Sequence, residues 1–213
     1  MKEHHIEIPR SARYFTLGEV GPATRQVWIV CHGYGQLAAQ FLRYFRFLDD
    51  GTRMVVAPEG ISRFYHMKTS GSVGASWMTK EDRAAEISDY VRYLRALHDH
   101  IFGQISRESV ELHLFGFSQG TATVCRWIER DTVVPERLTL WGGLIPPDID
   151  LSVFKEKTAR TDFTIVVGDE DEYAEPELVS AQEMRLRESE IVHSLIRFAG
   201  GHRLDRKVLT ALG

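Results

Sequence analysis

The chain has 213 residues, of which 43% are hydrophobic and 26% are charged, and its formal net charge is −4. These proportions are those of an average globular protein and exclude an intrinsically disordered or fibrous chain. A chain of this length buries about 70% of its unfolded surface, so it needs no metal or disulfide for stability. The negative charge and the lack of any run of five basic residues argue against a nucleic-acid partner.

The two cysteines and the N-terminus predict a cytoplasmic protein. Cys31 lies in an apolar run and Cys125 in a predicted helix, where cysteines are more often buried thiols than disulfide partners. Residues 1–10 are polar and lack the apolar core of a secretory signal, and no apolar run elsewhere is long enough to span a membrane. Since the sequence contains no phosphate loop, no H-E-x-x-H and no C-x-x-C, we also predict no cofactor and no metal.

Short apolar runs alternate with segments of helical period. Strands are predicted at the apolar runs, residues 26–31, 53–58, 110–115, 137–141, 163–167 and 193–198. Helices are predicted at residues 37–48, 80–102, 121–130, 177–188 and 204–212. Strands that alternate with helices in this way predict right-handed crossovers and a mostly parallel sheet covered on both faces. We therefore expect one α/β domain over residues 1–213.

The segments between these elements are predicted from their end signals. Thr79 is the expected N-cap of the second helix, and Gly103 is its expected end. Residues 14–20 are expected to form one or two antiparallel edge strands. Residues 59–78, which are rich in glycine and aromatic side chains, are expected to form a long loop.

The pattern G-x-S-x-G stands at residues 116–120, between a predicted strand and a predicted helix. A sharp turn at this junction strains the backbone of Ser118 and lifts its hydroxyl group into a cleft, while Gly116 and Gly120 let the two elements pass closely. The alternative is that Ser118 only caps the helix, a position that serine favours. We interpret Ser118 as a nucleophile, and this interpretation predicts the α/β-hydrolase fold.

A serine nucleophile requires a histidine base and an orienting carboxylate, which follow it in this fold in the order serine, acid, histidine. Two predicted strands run into polar loops, one with acidic residues at 169–172 and one with His202. Of the nine histidines, only His202 combines this order with a position after a strand. The alternatives are a solvated loop histidine and a charged or calcium-like acidic turn. Asp171 and Asp169 are both candidates for the acid.

Hydrolysis of an acyl bond also requires N–H groups that stabilise the oxyanion. In this fold one such N–H follows the nucleophile, and the other lies in the loop after an early strand. The expected donors are therefore Gln119 and Tyr34, the latter within His32-Gly33-Tyr34-Gly35. The alternative for this loop is a simple glycine turn.

These residues resemble the phospholipase/carboxylesterase family of α/β-hydrolases, which includes acyl-protein thioesterases and small bacterial carboxylesterases. The resemblance spans most of the chain and rests on H-G-Y-G at 32–35, A-P at 57–58, S-W at 76–77, G-F-S-Q-G at 116–120, G-D-E-D at 168–171 and G-H at 201–202. Dienelactone hydrolases, which are near relatives, would carry cysteine in place of Ser118. The family's G-D-x-D spacing implies that Asp171 is the acid.

The sequence departs from the family pattern in two places. Residues 172–174 read Glu-Tyr-Ala where the family usually has proline and valines, and Gln36 stands where an aspartate is frequent. The resemblance implies a carboxylesterase that acts on a small acyl ester through Ser118, Asp171 and His202, without a cofactor. An acyl thioesterase, a lysophospholipase, or a non-enzymatic ligand-binding protein on the same fold stays possible at this point, and the oligomeric state stays open.

The site is expected to be open. Residues 142–161, where many lipases insert a large helical cap, are too few for one. The walls of an apolar acyl groove are then expected from Phe64, Tyr65, Trp77, Leu144 and Ile145. The alternative for each of these side chains is ordinary core or loop packing.

Overall fold

A computed structural model describes all of residues 1–213 and contains nine β-strands. They are β1 (Tyr14–Leu17), β2 (Gln26–Cys31), β3 (Arg53–Pro58), β4 (Ser62–Met67), β5 (Ser70–Ser76), β6 (Glu111–Phe117), β7 (Arg137–Trp141), β8 (Asp162–Gly168) and β9 (Ser194–Phe198). Seven of them form one sheet in the order β1-β3-β2-β6-β7-β8-β9, and β4 and β5 form a separate hairpin. Every neighbour in the large sheet is parallel except β1, which is antiparallel to β3.

The chain also contains six α-helices. They are α1 (Ala38–Phe41), α2 (Arg83–Phe102), α3 (Gln119–Arg130), α4 (Leu151–Thr158), α5 (Pro176–Glu188) and α6 (Arg206–Leu212), with 3-10 helices at Leu42–Leu48 and Arg107–Ser109. The architecture is the α/β-hydrolase fold that the sequence predicts. Only α4, with 8 residues, lies between β7 and β8, so no large cap domain is present. None of the helices has both the length and the apolar character required to span a bilayer.

Alternating side chains of the central strands explain why helices cover both faces of the sheet. In β2, Val27, Ile29 and Cys31 belong to one buried cluster, and Trp28 and Val30 belong to another. The first cluster includes apolar residues of α2, α3, α4 and α5. The second includes residues of α1, the following 3-10 helix and α6. A run of consecutive apolar residues is therefore needed in each central strand, and this run is the signal by which the sequence predicts it.

The predicted strands are confirmed, and each observed limit lies within two residues of the predicted one. The antiparallel edge strand expected within residues 14–20 is also confirmed, as β1. The expected helix over 37–48 is correct in place but not in type. Only four of its residues, Ala38–Phe41, are α-helical, and Leu42–Leu48 continue as a tighter 3-10 helix.

The expectation of a long loop at residues 59–78 is wrong, because β4 and β5 pair there as an antiparallel hairpin. Four of the six residues of β4 are exposed. The hairpin is therefore held by its own backbone hydrogen bonds and not by a continuous apolar face, so its sequence lacks the alternation that identifies a strand. Lys68, in the turn, has a left-handed φ of 47°.

The predicted N-cap at Thr79 is wrong. The helix begins later, at Arg83, after Asp82 in the left-handed conformation with φ of 44°. Thr79 instead binds the carboxylate of Glu86, in the first turn of α2, through its N–H and hydroxyl groups. The predicted end is confirmed, since Gly103 is the C-cap.

The close approach of β2, β6 and α3 depends on two glycines. A Cβ on Gly116 would lie 2.5 Å from the carbonyl oxygen of Gly120, and a Cβ on Gly120 would overlap the carbonyl oxygen of Cys31. Both obstacles are main-chain atoms, which cannot rotate away. These contacts fix how near α3 lies to the sheet, and therefore where Ser118, at the start of α3, is held.

Gly120→Ala tests this close packing. We expect it to lower the free energy of unfolding by about 1–3 kcal/mol, because the added methyl group must displace the backbone of a central strand. Gly21→Ala is the matched control, since a Cβ there meets nothing within 4 Å. The control should change the free energy by less than about 0.5 kcal/mol. Urea unfolding followed by circular dichroism measures both, and equal midpoints for the two variants would contradict the analysis.

Candidate active site

The carboxyl edge of the parallel sheet brings together three loops that are far apart in the chain. Ser118 follows β6, Asp171 follows β8, and His202 follows β9. Because these strands are parallel, their carboxyl ends meet at the same edge, where open α/β sheets place their functional groups.

Ser118 occupies the turn between β6 and α3 in an unusual backbone conformation. Its φ is 53° and its ψ is −116°, a combination that a residue with a side chain rarely adopts. Its side chain makes no capping hydrogen bond to α3, which removes the interpretation of Ser118 as a simple N-cap. Its Oγ lies 2.8 Å from Nε2 of His202 instead. The strained turn therefore directs the hydroxyl group toward the histidine.

His202 connects Ser118 to Asp171. Nδ1 of His202 lies 3.0 Å and 2.9 Å from the two carboxylate oxygens of Asp171. A carboxylate oxygen only accepts hydrogen bonds, so Nδ1 carries the proton and Nε2 is free to accept the proton of the Ser118 hydroxyl group. Asp169 is exposed and makes no side-chain contact with His202. Of the two acids that the sequence left open, the structure brings Asp171 to the histidine.

The acid is enclosed, and the histidine remains accessible. The Asp171 side chain is 1% exposed, compared with 17% for that of His202. The backbone N–H of Tyr173 donates to Asp171 at 2.9 Å, which fixes the carboxylate. The rings of Tyr173 and Phe117 pack near the imidazole, with centroids 4.6 Å and 5.0 Å from it. Tyr173, one of the residues that depart from the family pattern, thus takes part in the packing around His202.

Gly142, directly after β7, allows the histidine and the acid to approach the sheet. A Cβ at this position would lie 3.2 Å from Nδ1 of His202 and 3.3 Å from Asp171, and its φ is +59°. The sequence reasoning did not single out this residue. Its signal was available, since a glycine at the carboxyl end of a buried strand marks a place where other groups come close.

The two predicted oxyanion donors lie on either side of Ser118. Gln119 is its direct neighbour, and Tyr34 follows Gly33, where a Cβ would lie 3.1 Å from the Cβ of Ser118. Neither backbone N–H has an acceptor within the protein. Free N–H groups beside a nucleophile are available to an anionic oxygen, as the predicted role requires.

The side chain of Gln119 ties the turn at Ser118 to the end of the β4–β5 hairpin. Its Oε1 accepts from the N–H of Trp77 at 3.0 Å, and its Nε2 donates to the carbonyl oxygen of Met78 at 2.7 Å. Ser76 contacts both ends of the amide through its hydroxyl group. The amide therefore bonds to the backbone of Trp77 and Met78 as a neighbouring strand would. These bonds restrain the peptide that carries the Gln119 N–H.

His32 holds the loop that carries Tyr34. It is fully buried, and burial lowers its pKa, against smaller opposing effects of its hydrogen bond to Gly33 and of the charge on Glu59. The neutral ring donates from Nδ1 to the carbonyl oxygen of Gly33 at 2.7 Å and accepts at Nε2 from the N–H of Gly60 at 3.0 Å. Trp77 donates to the carbonyl oxygen of His32 at 2.8 Å. The buried rings of His32 and Trp77 therefore hold the backbone at His32, Gly33 and Gly60.

The hairpin supports the same loop from outside. The N–H of Gly35 donates to the carbonyl oxygen of Ala75 in β5 at 2.8 Å. His66 in β4 contacts the carbonyl oxygen of Gly35 through Nε2 at 3.0 Å. The ring of Phe64 stacks on that of Tyr34 at 5.0 Å. The hairpin, which sequence reasoning missed, is therefore part of the wall of the site.

The predicted substrate-contacting residues are not all on one wall. Trp77 is completely buried in the core, so the expectation that it lines an open groove is wrong. Phe64 and Tyr65 are successive residues of β4 and project to opposite faces of the hairpin. Only Phe64 contacts the loop of Tyr34, and Tyr65 is 52% exposed. Leu144 is half-buried against the core, close after Gly142, and Ile145 is buried in the core.

One group of side chains has the spacing of a metal site, but it is unrelated to Ser118. Glu3, His5 and Asp82 lie together on the surface at the N-terminal segment, and all three are exposed. Nε2 of His5 already contacts both carboxylates, at 3.1 Å and 3.2 Å.

Solved structures with the same fold cover nearly the whole chain. Esterase PE8 is 18% identical with a TM-score of 0.64, over 95% of this chain and 98% of that one. Acyl-protein thioesterase 2 of Zea mays is 14% identical with a TM-score of 0.69, over 95% and 100%. A phospholipase/carboxylesterase from Dyadobacter fermentans DSM 18053 is 16% identical with a TM-score of 0.67, over 97% and 96%. At these identities the likeness shows the fold alone.

A search of curated proteins gives no match to this sequence. The family model described as phospholipase/carboxylesterase, however, matches residues 17–212. The match begins at the end of β1 and reaches the end of α6, so it includes Ser118, Asp171 and His202. The chain therefore belongs to the phospholipase/carboxylesterase family of α/β-hydrolases.

Proposed function

We propose that this hydrolase cleaves carboxylic esters through an acyl-enzyme on Ser118. The observation that supports this most directly is the continuous hydrogen-bonded series from Ser118 through His202 to Asp171. A serine hydroxyl group is a weak nucleophile at neutral pH, and an adjacent imidazole held by a carboxylate activates it. A ligand-binding protein without turnover would not need this order of donors and acceptors.

In the proposed reaction Oγ of Ser118 attacks the acyl carbon, while Nε2 of His202 takes the hydroxyl proton. Asp171 stabilises the imidazolium that forms and keeps the ring oriented. The imidazolium then gives its proton to the leaving alcohol, and the acyl group remains on Ser118. Water, deprotonated by His202, attacks the acyl-enzyme in the second half of the reaction, which releases the carboxylic acid and restores the hydroxyl group.

The N–H groups of Tyr34 and Gln119 serve as the oxyanion donors in this proposal. Their lack of internal acceptors supports the assignment. Removing one donor of this kind typically costs about 10²–10³ in kcat. The side chain of Gln119 and the ring of His32 hold these peptides in place before substrate arrives, so little reorganisation is needed when the charge develops.

Phe64 and Leu144 are the proposed apolar contacts of the acyl chain. Their positions support this role, since Phe64 stacks on Tyr34 and Leu144 follows the glycine beside His202. An acyl thioester or a lysophospholipid would use the same three residues, and these substrates stay as alternatives. The cytoplasmic location stays a prediction.

Ser118→Ala is the test of the proposed nucleophile. We expect it to reduce the hydrolysis of 4-nitrophenyl butyrate by about 10⁶ in kcat, because the attacking oxygen is absent. Ser180→Ala is the matched control, since it removes an exposed hydroxyl group on α5 that bonds only to Pro176. Release of nitrophenolate measures both variants. Activity within tenfold of the native protein in Ser118→Ala would contradict the proposal.

Asp171→Asn and Asp169→Asn together test the assignment of the acid. Replacing the orienting carboxylate of a serine triad costs about 10⁴ in kcat, so Asp171→Asn should lose activity on that scale. Asp169→Asn is isosteric, removes the same charge two residues away, and should keep nearly full activity. Initial rates with the same ester distinguish the two. The reverse ranking would move the role to Asp169.

A further inference from the structure

Two cavities of about 400 Å³ and about 350 Å³ adjoin each other beside the candidate active site. Arg43 and Tyr44 line both of them, so they form one continuous groove. We call it the arginine groove and define it by Gln36, Arg43, Tyr44, Arg46, Leu204 and Arg206. It is formed by the start of the segment after β2 and by the segment after β9.

The arginine groove adjoins Ser118 at one end and the loop of His202 at the other. The amide oxygen of Gln36 and the Cβ of Ser118 both lie within 3.2 Å of the point that a Cβ on Gly33 would occupy. At the other end, Leu204 stands two residues after His202 in the chain. The N–H of Gly33 donates to the amide oxygen of Gln36 at 2.8 Å, so this end of the groove is fixed to the loop that adjoins Ser118.

The charges of the arginine groove are all of one sign. Arg43, Arg46 and Arg206 have no carboxylate within salt-bridge distance, whereas Arg203 beside them pairs with Asp205. No acidic residue lines either cavity of the groove. Three unneutralised cations around one groove repel each other, and an anionic ligand would relieve this repulsion.

Other cavities of the molecule show that this arrangement is not a general feature of its surface. A cavity of about 820 Å³ at the amino ends of the parallel strands contains Arg107, which pairs with Glu136. A cavity of about 990 Å³ under the N-terminal segment contains Arg92, which pairs with Asp89. Both of these cavities also have acidic residues in their lining, Glu108 and Glu111 in the first and Glu7 and Asp82 in the second, whereas the arginine groove has none.

From these observations we infer that the arginine groove binds an anionic group of the substrate, and that the substrate class is an acyl ester bearing a carboxylate or a phosphate. This inference rests on the function proposed above. The planar guanidinium group matches the oxygens of carboxylate and phosphate with paired hydrogen bonds. Tyr44 adds a hydroxyl donor, and Leu204 adds an apolar contact for the carbon chain that carries the anion.

Matched ester pairs test the inference in the full-length protein. The first pair is 4-nitrophenyl octanoate and mono(4-nitrophenyl) suberate, which have acyl chains of equal length and differ by a terminal carboxylate. Two further pairs compare phenyl butyrate with 4-carboxyphenyl butyrate and with 4-phosphonooxyphenyl butyrate, which carry the anion on the alcohol side. The measured quantity is the ratio of kcat/KM for the anionic ester to that for the neutral ester.

We expect the native protein to prefer the anionic member of at least one pair, and Arg43→Ala to lower that ratio about tenfold, as loss of a charge-assisted contact does. Arg43→Lys should restore part of it, and added salt should reduce it in the native protein. Arg160→Ala is the control, because Arg160 is an exposed, unpaired arginine just before β8. It therefore lies at the amino ends of the parallel strands, and the candidate active site lies at their carboxyl ends. This variant should leave the ratio unchanged.

Equal ratios in the native protein, Arg43→Ala and Arg160→Ala would overturn the inference. So would activation by vesicles of anionic phospholipid without a change in the ratio, which would assign the groove to a membrane surface. Turnover of the neutral esters separates this failure from that of the proposed function. If neutral esters are hydrolysed and the ratios are equal, only the inference falls, and if no ester is hydrolysed, both fall.

Discussion

The left-handed backbone at Ser118 is the constraint on which the rest of the site depends. A φ of 53° at a residue with a side chain is strained, at a cost of about 1–3 kcal/mol. The buried strand before it and the buried helix after it stabilise this conformation, because both are packed in the core. Relaxing the turn would require moving β6 or α3, whose backbones are in close contact at Gly116 and Gly120.

Three further consequences follow from this one turn. It directs the hydroxyl group of Ser118 toward His202, and it leaves the first N–H of α3 without an internal acceptor. It also projects the side chain of Gln119 toward the hairpin, whose strand β5 in turn binds the loop of Tyr34. The nucleophile and both proposed oxyanion donors therefore belong to one hydrogen-bonded assembly, in which movement of one part displaces the others.

The sequence predicted the parts of this protein that depend on local pattern. Buried strands are apolar runs, and the turn at Ser118 needs small residues at fixed spacing, so both can be recognised from the sequence alone. The order Ser118, Asp171, His202 is the one that the α/β-hydrolase fold uses, so the chain order identified the histidine. The choice between Asp171 and Asp169 required three-dimensional information, because both residues stand in the same acidic loop.

The sequence did not predict other features, because they depend on contacts that no local pattern records. The β4–β5 hairpin has no apolar face of its own, so its strands read as loop. Trp77 is an aromatic residue near the site in sequence, but its indole donates to His32 inside the core, and nothing in the local pattern distinguishes a wall from a core position. The arginine groove combines residues from two segments about 160 positions apart, Arg43 and Arg206, which no motif relates.

Covalent labelling tests the central claim, that the fold activates Ser118, most directly. A fluorophosphonate reacts with an activated serine and with little else, and intact mass followed by peptide mapping locates the adduct. The account predicts one adduct per folded chain, on the peptide that contains Ser118, and none on the chain unfolded in urea, where His202 no longer contacts the hydroxyl group. An adduct on another residue, or equal labelling of the folded and unfolded chains, would contradict it.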